Sequence, residues 1–202
     1  MRMKRLVPLI FLFLTLPSAD ASIPDKPIPY ASRRLAVGEV LVASANIKKG
    51  IFHESVILLM SHGPKGDMGL IINRPTKYRV KQVYPGFVMA GKAGRLFVGG
   101  PVRNAVLSAL VKSKTELAGM TEVLLNIHHG IVKNNFDAAK YFSSDVAAVR
   151  FYSGYVGWGQ GQLESELSRG DWYIYDADPS VVFDGNADTM WQDLLGKLRG
   201  GP

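Results

Sequence analysis

The chain has 202 residues, no cysteine and a formal net charge of +7. Without cysteine there is no disulfide or thiol chemistry, so stability must come from packing, and small disulfide-dependent scaffolds are excluded. The charge is uneven: Lys26 to Arg103 holds thirteen Lys/Arg against three Asp/Glu, while Asn104 to the end holds eight against twelve. Such asymmetry marks either an anion-facing surface or solvated charges that interleave in space, and the scattered basic residues favour the second.

Residues 1–21 have the layout of a secretory signal peptide: Arg2, Lys4 and Arg5, an apolar run from Leu6 to Leu16, and Ala19-Asp20-Ala21 before a cut after Ala21. Pro17 and Asp20 interrupt the run short of the roughly 20 apolar residues of a membrane span. No cysteine stands at the cut for lipid attachment. A periplasmic or secreted location is therefore expected, with no stable membrane span. Residues 22–36, with Pro24, Pro27 and Pro29, read as an extended linker, and residues 37–202 as one domain.

Within that domain, Val40–Ala43 and Val56–Met60 are short aliphatic runs expected to form buried strands. The turn cluster from Gly63 to Asp67 predicts a hairpin to a third strand, Met68–Asn73, stopped by Pro75. Lys77, Arg79 and Lys81 recur with period two on an extended segment. Strands follow at Arg95–Val98, ended by Gly99-Gly100-Pro101, then through Val106, Ser108 and Leu110, and at Glu122–Ile127. A short helix is expected over Phe136–Phe142 with Asn135 as its cap, then a strand at Val146–Tyr152. The glycine-rich stretch GYVGWGQGQLESEL begins at Gly154. Its glycines predict a tight strand-to-helix turn with Trp158 as an apolar anchor. A helix Gln160–Arg169, a strand Trp172–Tyr175 and a helix Asp188–Leu198 complete an α+β pattern in which strands predominate. Trp191, Leu194, Leu195 and Leu198 form a core-facing stripe on the last helix.

The motifs of common chemistries fail on their mechanics. Gly86 to Ala93 approaches a P-loop, but Ala93 lacks the hydroxyl needed for magnesium and a strand follows instead of a helix. Gly157-Trp158-Gly159 begins a dinucleotide fingerprint whose sixth position is Gln162. No G-x-S-x-G elbow occurs. His53 and His62 straddle a strand, and His128 and His129 would point to opposite faces, so no metal site is expected. Glu164 and Glu166 fall on different faces of their helix, with solvation near a helix N-terminus as their simplest role. No cofactor is implied.

The blocks EVLVASANIKKGIFHESVILLMSHGPKGDMGLIINRP, LFVGGPV, FYSGYVGWGQGQLESELSRGDW and VFDGNADTMWQDLLGKL resemble, in order, those of the YqgE/AlgH family, from about Val37 to Leu198. The resemblance implies a single α+β domain with a mixed, bent, partly barrel-like sheet flanked by helices. The family carries a transcriptional-regulator label and no agreed catalytic residues. Departures from its pattern are Ala45 in place of proline, Lys49-Gly50 in place of an Asp-Pro-like pair, a short segment after Val102 that lacks a histidine, and the leader itself.

These features predict an exported, non-enzymatic binding or accessory domain, with an unknown anionic ligand or protein partner and no nucleic-acid partner. The backbone N–H groups from Gly159 to Gly161 are a candidate anion site at a helix start. A hydrolase-like enzyme is the alternative, with His62, Asn73, Arg74, Gln162 and Glu164 converging in one cleft. A cytoplasmic transcriptional regulator is the third reading, if the leader is not cleaved. The candidate ligand-binding set is therefore His62, Asn73, Arg74, Gly159, Gly161, Gln162 and Glu164.

Overall fold

Val40–Ala43 (β1) and Val56–Ser61 (β2) are aliphatic on both faces, and every residue but Ser61 is buried. Strands of this composition require cover on both sides, and that requirement organises the rest of the chain. The computed structural model describes residues 35–86, 94–132 and 139–200. The predicted leader, most of the proline-rich segment, the P-loop-like stretch beyond Gly86 and the start of the helix predicted from Phe136 lie outside them. Among the described residues, no helix is long and apolar enough to cross a membrane.

The remaining strands are Asp67–Ile71 (β3), Pro75–Arg79 (β4), Arg95–Val98 (β5), Val102–Ser113 (β6), Thr121–Leu124 (β7), Ile127–Ile131 (β8), Val146–Trp158 (β9) and Trp172–Tyr175 (β10). The helices are Val80–Val83 (α1), Gln162–Ser168 (α2), Pro179–Phe183 (α3) and Met190–Leu198 (α4), with a 3₁₀ turn at Ala139–Phe142. The strands join in the order β10-β1-β2-β3-β9-β6-β8-β7, with β5 branching from β9 and β4 pairing β5. All pairs are antiparallel except β5 with β9. The result is one domain built on a curled, half-barrel sheet with a few helices, in keeping with the expected α+β class.

The two faces of β1–β3 alternate as a pleated strand dictates. Val40, Val42, Leu58, Met60 and Leu70 pack on Val181, Val182, Met190, Leu194 and Leu195 of α3 and α4. Leu41, Ala43, Ile57, Leu59 and Ile71 pack instead on Trp158, Trp172 and on Leu163 and Leu167 of α2. Arg150 ties β9 to α3: its guanidinium donates to the carbonyls of Val182 and Phe183 and lies over the rings of Phe97 and Phe183.

β9 is the shared spine. Residues 146 to 155 pair with β6, Phe151–Ser153 with β5, and Val156–Trp158 with β3. The hand-over between these partners falls at Gly154, whose φ of +72° is open to glycine at little steric cost. A Cβ there would strike the Gly100 carbonyl, and one at Gly100 would strike the backbone of Tyr155.

Several sequence expectations change here. The stretch from Gly154 to Trp158 is strand, so the predicted glycine turn shrinks to Gly159–Gly161. The single strand expected over Glu122–Ile127 is a hairpin, turned at Leu125-Asn126, where Asn126 takes φ +59° and donates to Glu122. Lys81 lies in α1, not on an extended segment. The helix α3 was not foreseen, although Asp178-Pro179 signals it: Asp178 caps the Ser180 N–H and Pro179 opens the first turn. Of the α4 stripe, Leu194 and Leu195 are buried, while Leu198 is 37% exposed and Met190 takes its place in the core.

Gly154→Ala is expected to lose more than about 1 kcal/mol of stability in urea unfolding, from left-handed strain plus the clash. Gly157→Ala, where a methyl meets only ordinary contacts, should stay within about 0.5 kcal/mol.

Candidate functional site

Most of the residues singled out by the sequence gather at the seam between the β2–β3 turn and α2. Pairing of Asp67 with Trp158 and of Met68 with Gly157 brings the hairpin turn alongside the end of β9. The chain then reverses through Gly159–Gly161, where Gly161 has φ +70°, and α2 folds back with Leu163 and Leu167 inward.

Two networks occupy this seam. In the first, Glu166 accepts the indole N–H groups of both Trp158 and Trp172 at 2.8 Å on one carboxylate oxygen. Its other oxygen accepts Gln162 Nε2 at 2.9 Å, and Gln162 Oε1 accepts the Gly159 N–H at 3.0 Å. The two indoles meet edge to face, with ring centroids 6.4 Å apart. Trp158 is thus the buried anchor expected of it, and also a donor to a carboxylate. Glu166 is not simply solvated at a helix start, because two buried indoles require an acceptor.

In the second network, His62 Nδ1 stands 2.6 Å from Asp67 Oδ1, which also takes the Gly63 N–H at 3.3 Å. The Asp67 side chain is 1% exposed and that of His62 26%. Glu164 approaches from the first turn of α2. One ligand atom from each of His62, Asp67 and Glu164 lies within 4.8 Å of the others. The Glu164 Oε2 atom is buried with no hydrogen-bond partner among the described residues.

The predicted set therefore divides. His62, Gly159, Gly161, Gln162 and Glu164 share the seam. Asn73 and Arg74 sit beyond the other end of β3, about 20 Å away along six extended residues. There Asn73 accepts the Val56 N–H and donates to the Glu54 carbonyl, each at 2.9 Å, and Arg74 donates to the His53 carbonyl. The pair fastens the loop before β2. The anion expectation at the glycine turn also meets a physical obstacle: the Gly159 N–H is already bonded and three carboxylates lie close by. Asp67, counted in the sequence only as a turn residue, and Trp172 were the members missed. A carboxylate opening a strand and a tryptophan in a WYIY run carry no local signal of a shared site.

A second feature lies on the opposite part of the sheet. The sequence has no Asp or Glu between Asp67 and Glu116. Within that span Lys77, Arg79, Lys81 and Arg95 are all exposed, and Arg79 stands directly across from Arg95 in the β4–β5 pair. Tyr78, 46% exposed, carries the Lys77 ammonium 5.2 Å from its ring centre. Among the described residues none of these four cations is in an ion pair. These four exposed basic residues lie in β4, α1 and β5.

The AlgH-like (DUF179) family profile matches residues 40–202. The chain belongs to the AlgH-like family. A "UPF0301 protein" of Chlorobium luteolum is 33% identical over 172 residues, spanning 84% of this chain and 88% of that protein. Another, from Mycobacterium tuberculosis, is 32% identical over 176 residues, covering 85% and 87%. Among solved structures, a Corynebacterium diphtheriae protein superposes with a TM-score of 0.68 at 25% identity, covering 82% of this chain and 88% of its own. The solution structure of AlgH from Pseudomonas aeruginosa gives 0.67 at 24% identity, covering 82% and 89%, a likeness of fold.

Glu166→Ala should destabilise the AlgH-like domain by about 2–4 kcal/mol, because two indole donors lose a charged acceptor. Gln162→Ala, on the exposed side of the same network, should cost less than about 1 kcal/mol; equilibrium urea unfolding followed by tryptophan fluorescence measures both.

Proposed function

We propose that this AlgH-like chain is an exported, non-enzymatic binding or accessory domain that docks an acidic protein partner through the basic face of β4, α1 and β5. The observation that carries the reading is the Arg79–Arg95 juxtaposition beside Lys77 and Lys81. Like charges directly opposite in a sheet are destabilising, so a cluster without counter-charges costs the domain stability that an acidic partner returns on binding. Complementary charge also steers association and disfavours wrong partners. The exposed Tyr78 adds an aromatic surface of the kind enriched at interface centres.

Poly-L-glutamate is a suitable probe in place of the unidentified partner. Its affinity should fall at least about tenfold between 50 and 200 mM salt, where screening shortens from about 14 to 7 Å. Lys77→Glu/Arg79→Glu should weaken it by a similar factor without loss of thermal stability, since an Arg79→Glu change turns a like-charge pair into an opposite one. Binding indifferent to both salt and substitution would overturn the reading.

Export rests on the leader pattern. Mass spectrometry of the protein from the periplasmic fraction is expected to find a chain beginning at Ser22. A cytoplasmic chain that retains the leader would favour the regulator alternative.

A further inference from the structure

We infer that His62, Asp67 and Glu164 form a binding site for a single divalent transition-metal ion of the zinc or manganese class. The inference stands apart from the basic face and departs from the sequence expectation of no metal. Three lines converge on it.

The first is geometry. With one ligand atom from each residue within 4.8 Å of the other two, at least one point lies no more than about 2.8 Å from all three. Bonds to zinc from imidazole nitrogen and carboxylate oxygen are about 2.0–2.2 Å, so closure needs inward shifts of no more than about 0.8 Å. The His62–Asp67 contact would instead open from 2.6 Å to about 3 Å, as its proton gives way to the ion.

The second is charge. Two carboxylates and one imidazole share a small volume, and Asp67 is almost wholly removed from solvent. Among the described residues no Lys or Arg is in an ion pair with Asp67 or Glu164. Among the described residues nothing donates a hydrogen bond to the buried Glu164 Oε2, an arrangement that is costly unless something positive completes it. A cation does so, and its charge also offsets the mutual repulsion of the carboxylates.

The third is chemistry and access. A nitrogen and two oxygens from side chains suit zinc or manganese better than the all-oxygen shells of calcium or magnesium. Partial exposure of His62 leaves a route for the ion, and three protein ligands leave a coordination position for water or a ligand atom.

The competing account is a cluster that holds no ion, which predicts no response to metal. The test uses the purified protein stripped with a chelator and titrated with zinc and, separately, manganese, by calorimetry and thermal unfolding. One equivalent should bind at micromolar or tighter affinity for at least one metal and raise the melting temperature. Glu164→Gln, which keeps the shape and removes the charge, should weaken binding at least tenfold, and so should His62→Asn. His62 lies in a partly exposed turn, so its variant carries the test if the Glu164 variant does not fold. Absence of binding at millimolar metal would overturn the site, as would binding that both variants leave unchanged.

Discussion

At Gly100 and Gly154 two backbone segments meet so closely that neither position has room for a Cβ. The contact lies where β9 passes from its β6 and β5 partners to β3, and it lets one 13-residue strand serve both halves of a curled sheet. Glycine is needed there for two reasons, the close approach and the positive φ at Gly154. The Gly99-Gly100-Pro101 and Gly154-Tyr155 motifs, far apart in sequence, are thus two sides of one crossing. If it fails, the end of β9 no longer reaches β3, and the hairpin turn loses its place beside α2.

The seam inherits its precision from that crossing. Trp158 and Trp172 leave different strands yet present their indole N–H groups to one oxygen of Glu166. A carboxylate can accept both, because each of its oxygens has two lone pairs. Gln162 then relays the network to the Gly159 N–H, which fixes the reversal between β9 and α2 without a conventional side-chain cap. The glycine stretch that looks like a ligand cradle in the sequence is therefore largely occupied by its own helix. Its structural role is to aim the first turn of α2, and with it Glu164, at the hairpin.

What the sequence made legible follows from what is local. Aliphatic runs gave β1 and β2, the Gly63–Asp67 turn gave the hairpin, and the family blocks gave the fold class. Partner choice across the sheet was not legible, because it depends on contacts between distant segments. Val146–Tyr152 reads as a strand by composition, but its continuation to Trp158 depends on β3 lying alongside, a tertiary effect that overrides glycine's weak strand preference. For the same reason Asn73 and Arg74 looked like members of a cleft with His62, since all three are polar residues flanking one strand. A strand separates its two ends, and the hydrogen bonds of Asn73 to Val56 and Glu54 show that its polarity fastens a loop. His128 and His129 were separable from sequence because alternation along a strand is local: His128 is buried and His129 half-buried. Burial also lowers the His129 pKa to about 4, so that imidazole is uncharged at neutral pH.

The contrast between Glu164 and Glu166 shows how little residue type decides. They lie two apart on the same short helix and so face about 200° apart around its axis. Glu166 turns toward two tryptophans, whose neutral N–H donors satisfy a carboxylate without a formal counter-charge. Glu164 turns toward the hairpin, where the nearest titratable partners are another carboxylate and an imidazole already engaged with it. The seam therefore has donors matched to one glutamate and not to the other. If Glu164 served only to solubilise the helix, its carboxylate would point to water, as exposed acidic side chains do. Instead one oxygen is buried with no donor among the described residues. Such an oxygen calls for a positive charge from outside the chain, and the imidazole and second carboxylate beside it are the groups that would share in holding one.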